Sequence, residues 1–206
     1  MAGAERPTIE DVTYLTEELL LPFYEVERDM ALPIEERRQE KDAEHSWSVA
    51  VLACALAPEV DTGLDVGLVA QFGITHDIVE RYAGDTSVWG SAEDLESKEE
   101  RERQAVDTIA TNFSQFPWLA ETIAAYERQD TPEARFVKSV DKTLAMVIRY
   151  IDEGKYYRER GLTFEKWSEG LEVVEEKAHG HPVAGEYYDD IKALIAIHPE
   201  WFFQPE

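Results

Sequence analysis

The chain has 206 residues, enough to bury a sizeable core and of a length that favours one domain. Hydrophobic residues make up 44% and aromatics 11%, which excludes a disordered polypeptide despite 31% charged residues. Forty-four Asp and Glu against twenty Lys and Arg leave a formal charge of -24, a field that repels nucleic-acid backbones and anionic membrane surfaces, so neither is expected as a partner.

Helical periodicity dominates, and no sustained apolar-polar alternation marks a strand. The first helix is expected from Thr8 as N-cap, with Glu10 and Asp11 in its first turn, Val12, Leu15, Leu19 and Leu20 on one face, and Pro22 interrupting it. Residues 23–41, through Pro33 to EERRQEKD, read as irregular or as a helix end. A second helix is expected over about 43–57, stopped by Pro58, and a third over about 64–82, with Gly84 as its C-terminal signal. Cys54 lies in the apolar run SVAVLACALA and reads as a small buried hydrophobe; a single cysteine excludes an intrachain disulfide. A polar loop over 85–95 leads to a charge-laced helix to about 113, in which EERERQ reads as a solvated face and Arg101 and Glu102 are placed to brace neighbouring helices. Further helices are expected from Pro117 to about 129 and from the Thr131-Pro132 cap to about Ile151. Two weaker ones, near 163–178 and 184–197, flank a His-Gly-His-Pro turn. The expectation is an all-α single domain over 1–206, a helical bundle with its core over about 28–152 and a C-terminal helical extension over about 153–206. No run approaches the roughly 20 apolar residues of a membrane span, and MAGAERPTIEDV lacks a signal-peptide pattern, so a cytoplasmic location is expected.

Four metal-ligand-type residues stand apart in helical segments: His45, the pair His76-Asp77, and Asp141. Imidazole with carboxylate suits a divalent first-row cation and leaves coordination positions open. His76 and Glu80 share a helical face, whereas Asp77 is turned by about 100° from His76 in an ideal helix. A lone His-Asp dipeptide is more often a satisfied core histidine beside a helix-terminal Asp; the longer string HDIVERYAGD, which adds Glu80 and Asp85, favours chemistry.

Three blocks, RRQEKDAEHSW (37–47), HDIVERYAGD (76–85) and TPEARFVKSVDKTLAM (131–146), with the weaker SKEERE (97–102), give a chain that resembles the HD-domain metal-dependent phosphohydrolases, and among them the 5'-deoxynucleotidases. The resemblance runs from about residue 28 to about 150. It implies an HD-domain helical bundle and His45, His76, Asp77 and Asp141 as ligands of one divalent transition metal ion (Mn, Co, Fe or Zn, with Mg disfavoured by the histidines). It implies Glu80 and Asp85 around the attacking water and leaving group, and Arg28 and Arg38 as substrate-side arginines making bidentate phosphate contacts. The bacterial deoxynucleotidase pattern has Trp where Asp29 stands and commonly Asn where Lys41 stands.

The activity so implied is hydrolysis of nucleotides, most simply of (deoxy)nucleoside monophosphates, with a (d)NTP triphosphohydrolase as the alternative in the same class and a non-catalytic acidic binding module as one outside it. A small-molecule nucleotide is the expected partner, and a homodimer the expected assembly. Lys138, one turn before Asp141, could face the site, though a solvated lysine is commoner. His179 and His181 read as turn residues and His198 as a helix-end residue. Trp89 and Tyr82 could stack on a base but more often such residues pack; Trp118, Trp167 and Trp201 read as core or oligomer contacts, and the tail IHPEWFFQ as too apolar to remain free.

Overall fold

The computed structural model describes residues 6–205 apart from 88 and 91. The fold is all-α with one small hairpin. In order it comprises α1 (Ile9–Leu15), a π-helical turn (Thr16–Leu20), α2 (Leu21–Phe23), β1 (Glu27–Leu32), β2 (Arg38–Lys41), α3 (Asp42–Val60), α4 (Val66–Thr75), α5 (Glu80–Ala83), α6 (Ala92–Asn112) and α7 (Pro117–Glu127). Then come α8 (Pro132–Ile151), α9 (Lys155–Glu159), α10 (Phe164–Ala178), α11 (Pro182–Ala196) and a 3-10 turn, Pro199–Trp201. No helix among the described residues is long and apolar enough to cross a membrane.

Local chemistry accounts for most of these boundaries. Thr8 caps α1 in a reciprocal box with Asp11, and Thr131 accepts from the Ala134 amide with Pro132 in the first turn of α8. α8 is the most strongly one-sided helix and runs through the centre, burying Phe136, Val137, Val140, Asp141 and Met146. Around it lie three apolar clusters. The first joins α3, α4, α7 and α8 (Val49, Ala53, Phe72, Tyr126, Val140). The second joins the end of α8 to the C-terminal helices (Met146, Tyr157, Trp167, Ile195). The third lies under the N-terminal segment and α6 (Leu19, Val79, Ile109, Ile123).

The structure corrects several expectations. Residues 27–41 are an antiparallel hairpin, paired Glu27–Lys41, Ala31–Gln39 and Leu32–Arg38, with a register shift between Glu27 and Ala31. The strands hold few apolar side chains, so alternation did not reveal them; Met30 and Glu40 turn inward. α3 passes through Pro58 to Val60, because only its last turn remains and Ala57 is fully buried. The expected third helix breaks: residues 76–79 form consecutive turns between α4 and α5. The π turn shifts the phase of the first helix, so Leu19 is buried while Val12 and Leu20 are exposed. The short α9 was not anticipated, and Cys54 is half-buried. Part of the expected 85–95 loop lies outside the described residues, and its end is already α6.

The apolar tail folds back: Phe202 is buried and stacks on Tyr157 at 5.0 Å between ring centroids. Trp167 is core, whereas Trp118 is exposed and donates to Gln71.

Candidate metal centre

The site is assembled from the first turn of α3, the end of α4 with the turns after it, the middle of α8 and the shifted part of β1. Asp42 and His45 are three residues apart, share one face of α3 and are buried. α4 lies close against α3 because residue 73 is glycine; a Cβ there would stand 2.6 Å from Ala50 Cα. That approach places the His76 and His45 rings 5.5 Å apart between centroids. Past His76 the backbone tightens into i to i-3 bonds, Ile78 to Thr75 and Glu80 to Asp77. With about three residues per turn, residues three apart eclipse, so Asp77 and Glu80 come to one side. They form a tight carboxylate group with Asp42.

His45, His76 and Asp77 each offer a ligand atom within 4.8 Å of the other two. Asp77 Oδ2 lies 3.1 Å from His76 Nε2 and 3.9 Å from His45 Nε2. Asp141 adjoins this trio from α8, with Oδ1 3.0 Å from His45 Nε2 and Oδ2 accepting from Lys142 Nζ at 2.8 Å.

The donor set fits a metal ion. His76 Nδ1 lies 3.0 Å from the Gly73 carbonyl oxygen. A carbonyl only accepts, so Nδ1 carries a proton and Nε2 is the ring atom left to face the cluster. That nitrogen is buried and makes no hydrogen bond, although Asp77 Oδ2 stands 3.1 Å away. His45 faces Glu40 through Nδ1 at 3.5 Å and the cluster through Nε2, the arrangement in which a carboxylate behind a ligand histidine orients it. Ligands at about 2.1 Å from one ion stand about 3 Å apart, as several of these atoms do.

Arg28 reaches the cluster through the shifted segment of β1: its Nη1 donates to Asp77 Oδ2 at 2.6 Å and to Asp42 at 3.3 Å, and its Nε lies 3.3 Å from Glu40. The register shift also frees the Asp29 amide, which donates to Asp85 Oδ2 at 3.0 Å. Arg38 points elsewhere, its guanidinium forked onto Glu44 at the surface. Glu80 is buried with Oε2 unpartnered and Lys98 Nζ 4.0 Å from Oε1. Arg101 of α6 donates to the Ala83 carbonyl and the Thr86 hydroxyl, bracing the segment that carries Asp85.

Burial, with the charges of Asp77, Asp42 and Asp85, pushes the Glu80 carboxyl well above its usual range. Burial and Asp77 push Asp42 up to about 7 against the pull of Arg28. Burial works against ionising Asp77, but His76 and Arg28 hold it well below the usual carboxylate range. Asp141 is likewise depressed against burial, by Lys142 and His45.

Sequence reading missed Asp42 and Glu40. Asp42 carried a signal, its i, i+3 spacing to His45; Glu40 carried none, since only the hairpin turns it inward. Lys138 is not simply solvated: it is half-buried, with Nζ 5.3 Å from the Tyr126 ring centre. His179 pairs with Asp189 at 3.1 Å and His181 lies 3.6 Å from Asp61, so the two do not act together.

Among solved structures, a predicted metal-dependent phosphohydrolase from Magnetospirillum magnetotacticum MS-1 is similar at 25% identity and a TM-score of 0.75, over 97% of this chain and all 100% of that one. A Pyrococcus horikoshii OT3 protein (20% identity, TM-score 0.57, covering 94% of this chain and 99% of its own) shares the fold. So does a conserved hypothetical protein from Pyrococcus furiosus (23%, 0.57, 92% and 99%). No curated protein matches. The profile of the HD domain matches residues 25–180, a span that holds the hairpin, His45, the His76-Asp77 pair and Asp141; the chain belongs to the HD domain family.

Proposed function

We propose that the protein is a metal-dependent phosphohydrolase of nucleotides, a 5'-nucleotidase acting on (deoxy)nucleoside monophosphates. The carrying observation is the buried His76 Nε2, which makes no hydrogen bond, has its ring oriented by the Gly73 carbonyl and lies 3.1 Å from Asp77 Oδ2 beside His45. The likeness to the Magnetospirillum phosphohydrolase and the family membership support the same reading. His45, His76, Asp77 and Asp141 would hold one divalent ion of the Mn, Co, Fe or Zn type. Such an ion, when bound, polarises a phosphoryl oxygen and acidifies water.

The chain's own residues supply the rest. Glu80, with one oxygen buried and free of hydrogen bonds, orients the attacking water and, in its carboxylate form, accepts its proton. Asp85, held by the Asp29 amide at the edge of the site, serves the departing oxygen. Arg28 neutralises phosphate from the Asp77 side, and Arg38 does so only if it leaves Glu44. A triphosphate substrate is the second reading, favoured by Lys142 on Asp141 and Lys98 beside Glu80.

Phosphate release from nucleoside mono-, di- and triphosphates with Mn or Co tests both. The expected result is orthophosphate from monophosphates, reduced on the order of a hundredfold in Glu80→Ala. Release of intact triphosphate selects the second reading, and equal inertness of both proteins on every nucleotide overturns the enzyme.

A further inference from the structure

Beside the metal centre runs a groove between the hairpin and the C-terminal helices. It consists of two cavities of about 460 and 440 Å³, which share Tyr156 and Arg160 in their walls. Together they fall within the range of small-molecule sites, about 300–1,000 Å³. The groove starts where the metal centre ends: Asp29 lines it, and the Asp29 amide binds Asp85.

We propose that this groove receives the heterocyclic base of the nucleotide whose phosphate lies at the metal centre, an inference that rests on the nucleotidase reading.

Its wall is aromatic and held from behind. Trp89 and Tyr156 pack at 6.2 Å between centroids, with the Arg149 guanidinium 4.8 Å from the Trp89 ring centre and 5.2 Å from that of Tyr156. Gly170 of α10 makes the room, since a Cβ there would overlap the Trp89 indole nitrogen. In a chain of net charge -24 this lining is nearly balanced, and three of its four cations are already paired: Arg160 with Asp29, Arg37 with Asp152 and Glu159, Arg38 with Glu44; the fourth, Lys166, stands exposed on the rim. Paired charges beside aromatic faces suit a neutral, planar, hydrogen-bonding ring rather than a further phosphate, which would have to displace carboxylates. Apart from Trp89, which precedes α6, the cations and the aromatic edge come from the hairpin, from α9 with Arg160 just after it, and from α10, so the C-terminal helices are part of the binding surface.

Calorimetric titration with the four ribonucleosides, which carry no phosphate, tests this in the full-length protein. At least one nucleoside is expected to bind, and Gly170→Ala, which displaces the Trp89 indole from its place in the wall, is expected to weaken it on the order of tenfold. Lys166→Tyr, at an exposed position on the rim, closes the mouth without touching the core and is expected to do the same; thermal melting verifies that both variants fold. Absence of nucleoside binding, or binding indifferent to both folded variants, overturns the proposal. Nucleotide hydrolysis by the wild type with unchanged nucleoside binding in the variants would remove the groove and leave the nucleotidase. Variant-sensitive nucleoside binding without hydrolysis of any nucleotide would do the reverse.

Discussion

At the scale of single residues, Arg28 has the largest consequences. Its guanidinium faces Asp77, Asp42 and Glu40 at once. Arg28→Ala leaves buried carboxylates without their counter-charge and is expected to cost about 3–5 kcal/mol in denaturant unfolding at neutral pH. Arg28→Lys retains the charge but not the fork, so it should recover stability while phosphate affinity stays low. A fully stable Arg28→Ala protein would show that the cluster neutralises itself by taking up protons. Glu80→Ala belongs to the same scale, with turnover as its readout.

Between elements, the decisive contact is α3 against α4. Gly73→Ala inserts a methyl where Ala50 already stands and moves His76 away from His45. The expected result is a loss of about 1–3 kcal/mol together with weaker metal binding in titrations with Mn or Zn. Thr131→Ala removes the cap of the central helix and should cost about 1 kcal/mol with metal binding unaffected. α10 and α11 are joined by His179 and Asp189, and this pair raises the His179 pKa above its usual value. A raised folded-state pKa stabilises below the unfolded value, about 6.5, and the contribution fades as pH rises through the folded value. His179→Gln should therefore be less stable than wild type in mild acid and equal to it in alkali, as read by melting across pH.

For the whole molecule, net charge sets the long-range field. With -24 on the chain, a nucleotide approaches against repulsion, and screening relieves it. The Michaelis constant is expected to fall with modest added salt; one that only rises would mean that Arg28 and the lysines near the site dominate the approach. We propose a homodimer as the assembly, on the exposed apolar side chains Ile9, Val12, Leu21 and Tyr24 of the N-terminal segment. A monomer mass in light scattering would dismiss it.

Sequence by itself determined the helical class, the caps at Thr8 and Thr131, the central helix and the metal-type residues, because each is encoded locally: by a 3.6-residue apolar period, by a side chain reaching its own first turn, or by residue types whose chemistry few other roles require. Other features were decided only by tertiary structure. The hairpin carries no apolar alternation, since its strands are tied to the bundle by Arg28, Met30 and Glu40 rather than by an apolar face. The break after His76 depends on α4 lying against α3 through Gly73, and it turns Asp77 and Glu80 to one side, which an unbroken helix would not have done so closely. Arg38 illustrates the limit of reading by resemblance, because its position matched while the hairpin aimed its guanidinium at Glu44. The groove existed nowhere along the chain: Trp89, the Arg149–Tyr156 segment and Gly170 are distant in sequence, and only packing of the C-terminal helices against α8 brings them together.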